Sequence, residues 1–299
     1  MKIYTHPETV HAVPNVTQHF EMTHKYFSDL FFPRVKAEIL NEDSGCEVRV
    51  IGVQHTDDSV INEGEHVVFI SVENTHHSTG RTWYEFINKY GHTGHPSVKT
   101  YIHNTCDHPI YTDSYTVLPT VYFRMCHFRA HPEYAIQPKP LESKKMALFI
   151  SRNGMNSVKE NLYATFQSAF PDQCDLLMHD PTVQGKTCYA GPEIIECMSK
   201  YKFIVVVENS VLSGYVTEKI FNAFYAGSIP IYDGTTEPER YFGNNCFLYA
   251  RDPQLVRKMQ TIVEDPELYE EIRDAPKLNE DTIKHAQNAV ALFTSTLPH

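Results

Sequence analysis

Between Tyr201 and Gly234 the chain reads YKFIVVVENSVLSGYVTEKIFNAFYAGSIPIYDG, and this stretch leaves few folds open. Phe203 to Val207 (FIVVV) is a continuous apolar run, mostly β-branched, as in a strand buried on both faces. Val216 to Tyr225 has helical spacing, with Val216, Ile220, Ala223 and Phe224 on one side. Gly227 follows where a left-handed C-terminal glycine belongs, and Ile229 to Tyr232 (IPIY) is a second buried strand. Strand, helix and strand in that order make a βαβ unit with a parallel sheet.

The same logic extends in both directions. Met146 to Ile150 is a buried strand, and Ser157 to Phe170 a helix with Leu162, Phe166 and Phe170 at four-residue steps. Earlier, Val48 to Val53 and Val67 to Val72 read as strands, Arg81 to Tyr90 as a helix, and Val117 to Phe123 as a further strand. The tail from Asp252 to Leu297 reads as helices broken at Pro266 and Pro276. A seam from Arg129 to Lys145 carries Pro132, Pro138 and Pro140, and places a domain boundary near residue 140. Fourteen of seventeen histidines precede it, so the halves differ in chemistry as well as position. The expected fold class is α/β: two Rossmann-like domains, 1–140 and 141–299, facing a cleft. Ligands in such folds bind beyond the carboxyl ends of strands, which directs attention to Glu73, Ser151 and Glu208.

Composition narrows the function. With 41% hydrophobic residues a chain of 299 residues buries a sizeable core, and a net charge of -11 argues against a nucleic-acid partner. Seven cysteines, an odd number at irregular spacing without any C-x-x-C pair, favour a reducing compartment and speak against a thiolate zinc site. The N-terminal MKIYTHPETVHAVPNV has no apolar run, and no stretch approaches the roughly 20 apolar residues of a spanning helix. A complete, soluble, cytoplasmic protein without a membrane span is expected, and the oligomeric state is left open.

In the central segment the buried strand ends in Glu208-Asn209-Ser210, and Tyr215-Val216-Thr217-Glu218-Lys219 opens the helix. A helix N-terminus offers N–H groups and partial positive charge to a phosphate, and Lys219 adds a full charge. Glu218 can accept hydrogen bonds from ribose or sugar hydroxyls, and Tyr215 can stack on the ligand. The plainer alternative is that Thr217 caps the helix and Glu218 complements its dipole.

This segment resembles the donor-binding motif of the α1,3/1,4-fucosyltransferases: an apolar strand, E-N-S, then D-Y-[IV]-T-E-K, then N-A-x-x-A-G-x-[IV]-P. Glu208, Asn209, Ser210, Tyr215 to Lys219, Asn222, Ala223, Ala226, Gly227, Ile229 and Pro230 match it, with Gly214 in place of Asp. A second block places Ser151, Lys159 and Tyr163 where the family has Ser, Arg and Tyr. The family's Arg is implied to grip the donor diphosphate. Lys159 keeps the charge without the bidentate fork, and Arg152 can supply a guanidinium. A third block, VENTHHSTG, resembles E-S-P-x-H-x-x-G through Glu73, His77 and Gly80. The resemblance is dense from Met146 to Glu271 and thin before it.

What the resemblance implies is an inverting glycosyltransferase of the two-domain GT-B type, moving a sugar from a nucleotide-sugar donor, GDP-fucose favoured, to a glycan or glycoprotein acceptor. Glu73 is the implied general base, within reach of the acceptor hydroxyl. His76 and His77 are the expected acceptor contacts. Ser151, Arg152, Lys159, Glu208, Asn209, Ser210, Tyr215, Thr217, Glu218 and Lys219 form the expected donor site. No D-x-D triplet occurs, so no metal or other cofactor is expected beyond the nucleotide-sugar cosubstrate. Lys159 and Gly214 keep a UDP-sugar donor such as UDP-xylose open, as in exostosin-like transferases. Two readings of other classes remain. One is a metal-binding hydrolase using His76-His77, His92-x-x-His95, Cys106 with His108, or Cys126-His127. The other is a non-catalytic carbohydrate-binding protein.

Overall fold

A computed structural model describes residues 2–5, 38–40, 45–52, 64–71, 98–103, 116–151, 156–178 and 192–298. The Arg81–Tyr90 helix expected from the sequence lies outside them. Six strands form the first sheet: β1 (Lys2–Thr5), β2 (Glu38–Leu40), β3 (Val48–Gly52), β4 (Val67–Ser71), β5 (Val98–His103) and β6 (Thr116–Pro119). Their order is β2-β1-β3-β4-β5-β6, every neighbouring pair parallel. β3 and β4 fall on the two apolar runs read from the sequence.

The expected strand at Val117–Phe123 is corrected. β6 stops at Pro119, and helix α1 (Thr120–Ala130) begins one residue later. Proline has no N–H with which to continue a ladder, yet its successor can open a helix. The helix buries Thr120, Val121, Phe123, Arg124, Met125 and His127, so no apolar stripe of helical period marks it, and its β-branched and aromatic residues mimic a strand.

The second sheet contains β7 (Lys145–Ser151), β8 (Cys174–Met178), β9 (Tyr201–Val207), β10 (Ile229–Asp233) and β11 (Leu248–Tyr249). It is also parallel throughout, in the order β11-β10-β9-β7-β8. Between the strands run α2 (Ser157–Ala169), α3 (Pro192–Met198) and α4 (Glu218–Tyr225), followed by α5 (Leu255–Glu264) and α6 (Pro266–Asp274). β9 is central and buried at every residue, which is why its sequence is apolar without alternation. Phe149, Phe166, Phe203, Val205, Ile229, Ile231, Met259 and Tyr269 make the core of this unit, each fully buried side chain contributing roughly 1.5–3 kcal/mol. Asn156 caps α2 by accepting from the Lys159 N–H, and Gly227 ends α4 at φ +61°. Pro266 opens α6 behind an Asp265 cap that accepts from Glu267 and Leu268 N–H.

The two packing units differ from the boundary read near residue 140. The second unit begins at His131, and the last helix, α7 (Glu280–Thr296), belongs to the first unit. α7 buries Ala286, Ala289, Val290 and Phe293, spaced as one helix face, and packs on α1, with the Phe123 and Phe293 rings edge-to-face at 5.4 Å. From His131 onward the residues of the seam fold with the unit that follows them: Ile136 N–H donates to the Tyr225 carbonyl at 2.7 Å.

Two lysines tie the start of the second sheet together. The Lys144 ammonium donates to the Gly227 carbonyl (2.8 Å), and that of Lys202 to the Lys144 carbonyl (2.5 Å). Burial, then the charges of Arg273, Lys139 and Lys202, lower the Lys144 pKa from 10.5 to about 8. Between those values the unfolded chain still binds a proton that the folded chain has released, so this group makes stability rise with pH across that window. A Lys144→Met variant lacks the contribution. The parent protein is expected to gain on it, by up to about 3 kcal/mol, between about pH 8 and about pH 10. Unfolding free energies that stay parallel across the window would contradict this.

Candidate active site

In the second sheet the chain leaves β7 toward β8 and returns on the other side of β7 through β9. The carboxyl ends of β7 and β9 therefore flank a topological switch point, where a doubly wound sheet opens a crevice for ligands. Ser151 ends β7, its side chain buried, and Glu208 directly follows β9. The helices leaving these strands, α2 and α4, bring Lys159 and Lys219 to the same place. The Lys159 ammonium donates to the Ile150 carbonyl at 3.1 Å. Its pKa is lowered by burial first and by the Lys219 charge second, while the Glu208 charge raises it. The charges of Lys219 and of Glu208, at the end of β9, thus both act on the Lys159 ammonium at the end of β7.

Glu208 has no exposed side-chain surface. Its Oε1 accepts from the Thr217 N–H (2.8 Å), and its Oε2 from the Lys219 ammonium (2.8 Å). The Thr217 hydroxyl lies 2.9 and 2.7 Å from the two oxygens and accepts from Lys219 at 3.0 Å. Thr217 occupies the N-cap position of α4, but its side chain makes no cap hydrogen bond to the helix. The capping role open to it from sequence is replaced by this triangle. Glu218 is half-buried in the first turn, Asn209 is exposed, Ser210 half-buried, and Tyr215 only 1% exposed. Gly214 has φ +73°, a conformation that costs glycine nothing, which accounts locally for its standing in place of Asp.

Sequence reasoning missed the floor of this site. Glu208 N–H donates to the Asp233 carbonyl at 2.7 Å, joining β9 to the end of β10. The Asp233 carboxylate accepts two hydrogen bonds from Arg251, at 2.7 and 2.9 Å. Burial, then the Glu208 charge, push the Tyr232 phenol well above its ordinary pKa, and its oxygen accepts from the Thr235 N–H. A Cβ on Gly234 would come within 2.6 Å of Glu208 Cγ and closer still to the Tyr232 phenol oxygen. The available signal was Asp233-Gly234 closing an apolar strand, with Arg251 eighteen residues beyond Asp233.

Glu73, His76, His77 and Arg152 lie outside the described residues, as do His92, His95, Cys106 and His108 of the metal reading. Among the described residues no group of three or more His, Cys, Asp or Glu is placed to hold a metal ion, and no helix is long and apolar enough to cross a membrane.

Residues 140–274 match the family described as Glycosyltransferase family 10 (fucosyltransferase) C-term. This range contains both strand ends, both lysines and the Asp233–Arg251 pair. The chain is 29% identical over 147 residues to a 4-galactosyl-N-acetylglucosaminide 3-alpha-L-fucosyltransferase of Homo sapiens, covering 47% of this chain and 38% of that protein. It is 33% identical over 94 residues to alpha-(1,3)-fucosyltransferase B of Drosophila melanogaster, covering 30% of this chain and 21% of the relative. The chain thus spans well under half the length of these relatives. An alpha1,3-fucosyltransferase crystallised with GDP-fucose superposes with a TM-score of 0.59 at 16% identity, over 100% of this chain and 90% of that one. At that identity the likeness is one of fold. The chain therefore has the α/β, parallel-sheet fold of the GT-B glycosyltransferases. Within that class it resembles the fucosyltransferases of family 10, through the unit that carries the switch-point site.

Proposed function

We propose that this protein is an inverting, metal-independent glycosyltransferase that moves fucose from GDP-fucose to a glycan hydroxyl. The observation that carries this reading is the pair of ammonium groups, Lys159 and Lys219, gathered with the start of α4 at the switch point of the second sheet. A nucleoside diphosphate is a leaving group whose negative charge grows as the sugar–oxygen bond breaks. Cations and helix N–H groups held in place before the reaction stabilise that charge without reorganising. Asn209, exposed, and Glu218, half-buried, supply the contacts to ribose and sugar, whereas Tyr215, expected from the sequence to stack on the donor, is enclosed. Glu73 follows β4 by two residues and serves as the base, taking the acceptor proton as its oxygen attacks the anomeric carbon opposite the diphosphate. His76 and His77 contact the acceptor.

A thermal-shift panel with GDP, UDP, GDP-fucose, UDP-xylose, UDP-glucose and UDP-galactose, each with and without EDTA, tests the donor. Ligands of the native state raise the melting temperature by mass action. The expected result is a response to GDP and GDP-fucose that survives EDTA. Lys159 and Gly214, where the chain departs from the donor motif it resembles, leave room for a second reading, a UDP-sugar donor such as UDP-xylose. A response to UDP compounds alone would decide for it. Sugar binding without transfer or donor hydrolysis would overturn the enzyme reading.

A further inference from the structure

We infer that Glu208 is a positioning residue: it holds the Lys219 ammonium and the start of α4 where a diphosphate is received, and does not itself contact the donor. The inference rests on the donor reading above and deepens it.

A ligand-contacting carboxylate needs an accessible oxygen with capacity to spare. Glu208 has no side-chain exposure, and its two oxygens already accept from the Thr217 N–H, the Thr217 hydroxyl and the Lys219 ammonium. A carboxylate has about four lone-pair positions, so these three donors nearly saturate it. Its backbone is pinned as well, through the Asp233 carbonyl. Gly234 keeps the space beside its Cγ clear, because any Cβ there would collide with Glu208 and Tyr232. Lys219, by contrast, keeps 30% of its side chain exposed. Among the described residues, Lys159 and Lys219 bring two ammonium groups toward the Glu208 carboxylate. Removing Glu208 would raise the local positive charge and also release Lys219 from its anchor. Four rotatable bonds then have to be ordered again by the ligand, and the loss of position outweighs the gain in charge.

The test measures GDP by calorimetry and guanosine by saturation-transfer NMR. The proteins are the parent, Glu208→Gln, Lys219→Met, the double variant and Thr217→Val, each first checked for a cooperative urea transition. Glu208→Gln is expected to weaken GDP about tenfold and leave guanosine within about twofold. In the Lys219→Met background the same change is expected to cost little, because Glu208 acts through Lys219. The alkaline limb of GDP affinity should move to lower pH in Glu208→Gln, since the carboxylate is what raises the Lys159 pKa against burial and the Lys219 charge. If Glu208→Gln fails to fold, Thr217→Val carries the test, with a smaller loss confined to GDP. Equal losses for guanosine and GDP, undiminished loss in the Lys219→Met background, or unchanged GDP affinity in Thr217→Val would overturn the inference alone. A parent protein that binds neither GDP nor UDP would overturn the donor reading together with it.

Discussion

Glu73→Gln is expected to lower transfer to a glycan acceptor by about 10²–10⁴-fold while leaving the GDP-induced rise in melting temperature intact. Glutamine keeps the size and the hydrogen-bonding oxygen of glutamate but cannot take a proton. An acceptor hydroxyl has a pKa far above neutrality, so without a base it must attack while still protonated. The position is chosen from sequence, two residues beyond β4, an interior strand of the first sheet flanked by β3 and β5. Carboxyl ends of interior strands are where α/β sheets present catalytic groups. Initial rates of acceptor fucosylation, with donor held saturating, read the effect. Unchanged turnover would remove Glu73 from the mechanism and leave the donor site untouched.

Lys219→Met is the second large effect, and it acts on both binding and stability. Methionine preserves the unbranched apolar stem and deletes the charge, so the Glu208 carboxylate, at zero exposure, loses its ion-pair partner. Breaking a fully buried pair costs about 3–5 kcal/mol. Lys219 is nearly a third exposed, so solvent screening reduces this to roughly 2 kcal/mol. Urea denaturation is expected to show that loss, and Glu208→Gln in the same chain to return part of it. GDP affinity is expected to fall about a hundredfold, the scale of losing a charge-assisted contact to phosphate in a partly dry site. Full GDP affinity in a folded Lys219→Met protein would remove the electrostatic basis of the proposed reaction.

The segment that most constrained the fold also shows how far sequence reaches. FIVVV became β9, IPIY became β10, and the helix between them begins at Glu218, two residues later than its apolar spacing suggested. The difference is small and has a cause: Val216 is buried but lies outside the helix, and Thr217 is extended at φ -109°, ψ -172°. Lys159 and Lys219 were singled out from motifs sixty residues apart, and the structure gathers them at one switch point. The enclosure of the Glu208 carboxylate between Thr217 and Lys219 was not foreseen, because hydrogen bonds across the loop from strand end to helix leave no mark in local periodicity.

What the sequence determined by itself is everything written in local periodicity and local punctuation. The parallel α/β class, the buried strands β3, β4, β7, β9 and β10, the helices α2 and α4, and the glycine that ends α4 follow from side chains a few residues apart. Tertiary structure alone decided what depends on distant partners. It turned Thr120–Ala130 into a helix despite strand-like residues, and it seated α7 on the first unit through Phe123 and Phe293. It also paired Asp233 with Arg251 and enclosed the Glu208 carboxylate between Thr217 and Lys219. The physical reason is common to all four. Burial and charge pairing are properties of neighbours in space, and a residue's neighbours in space are set only when the sheet order brings separate strand ends together.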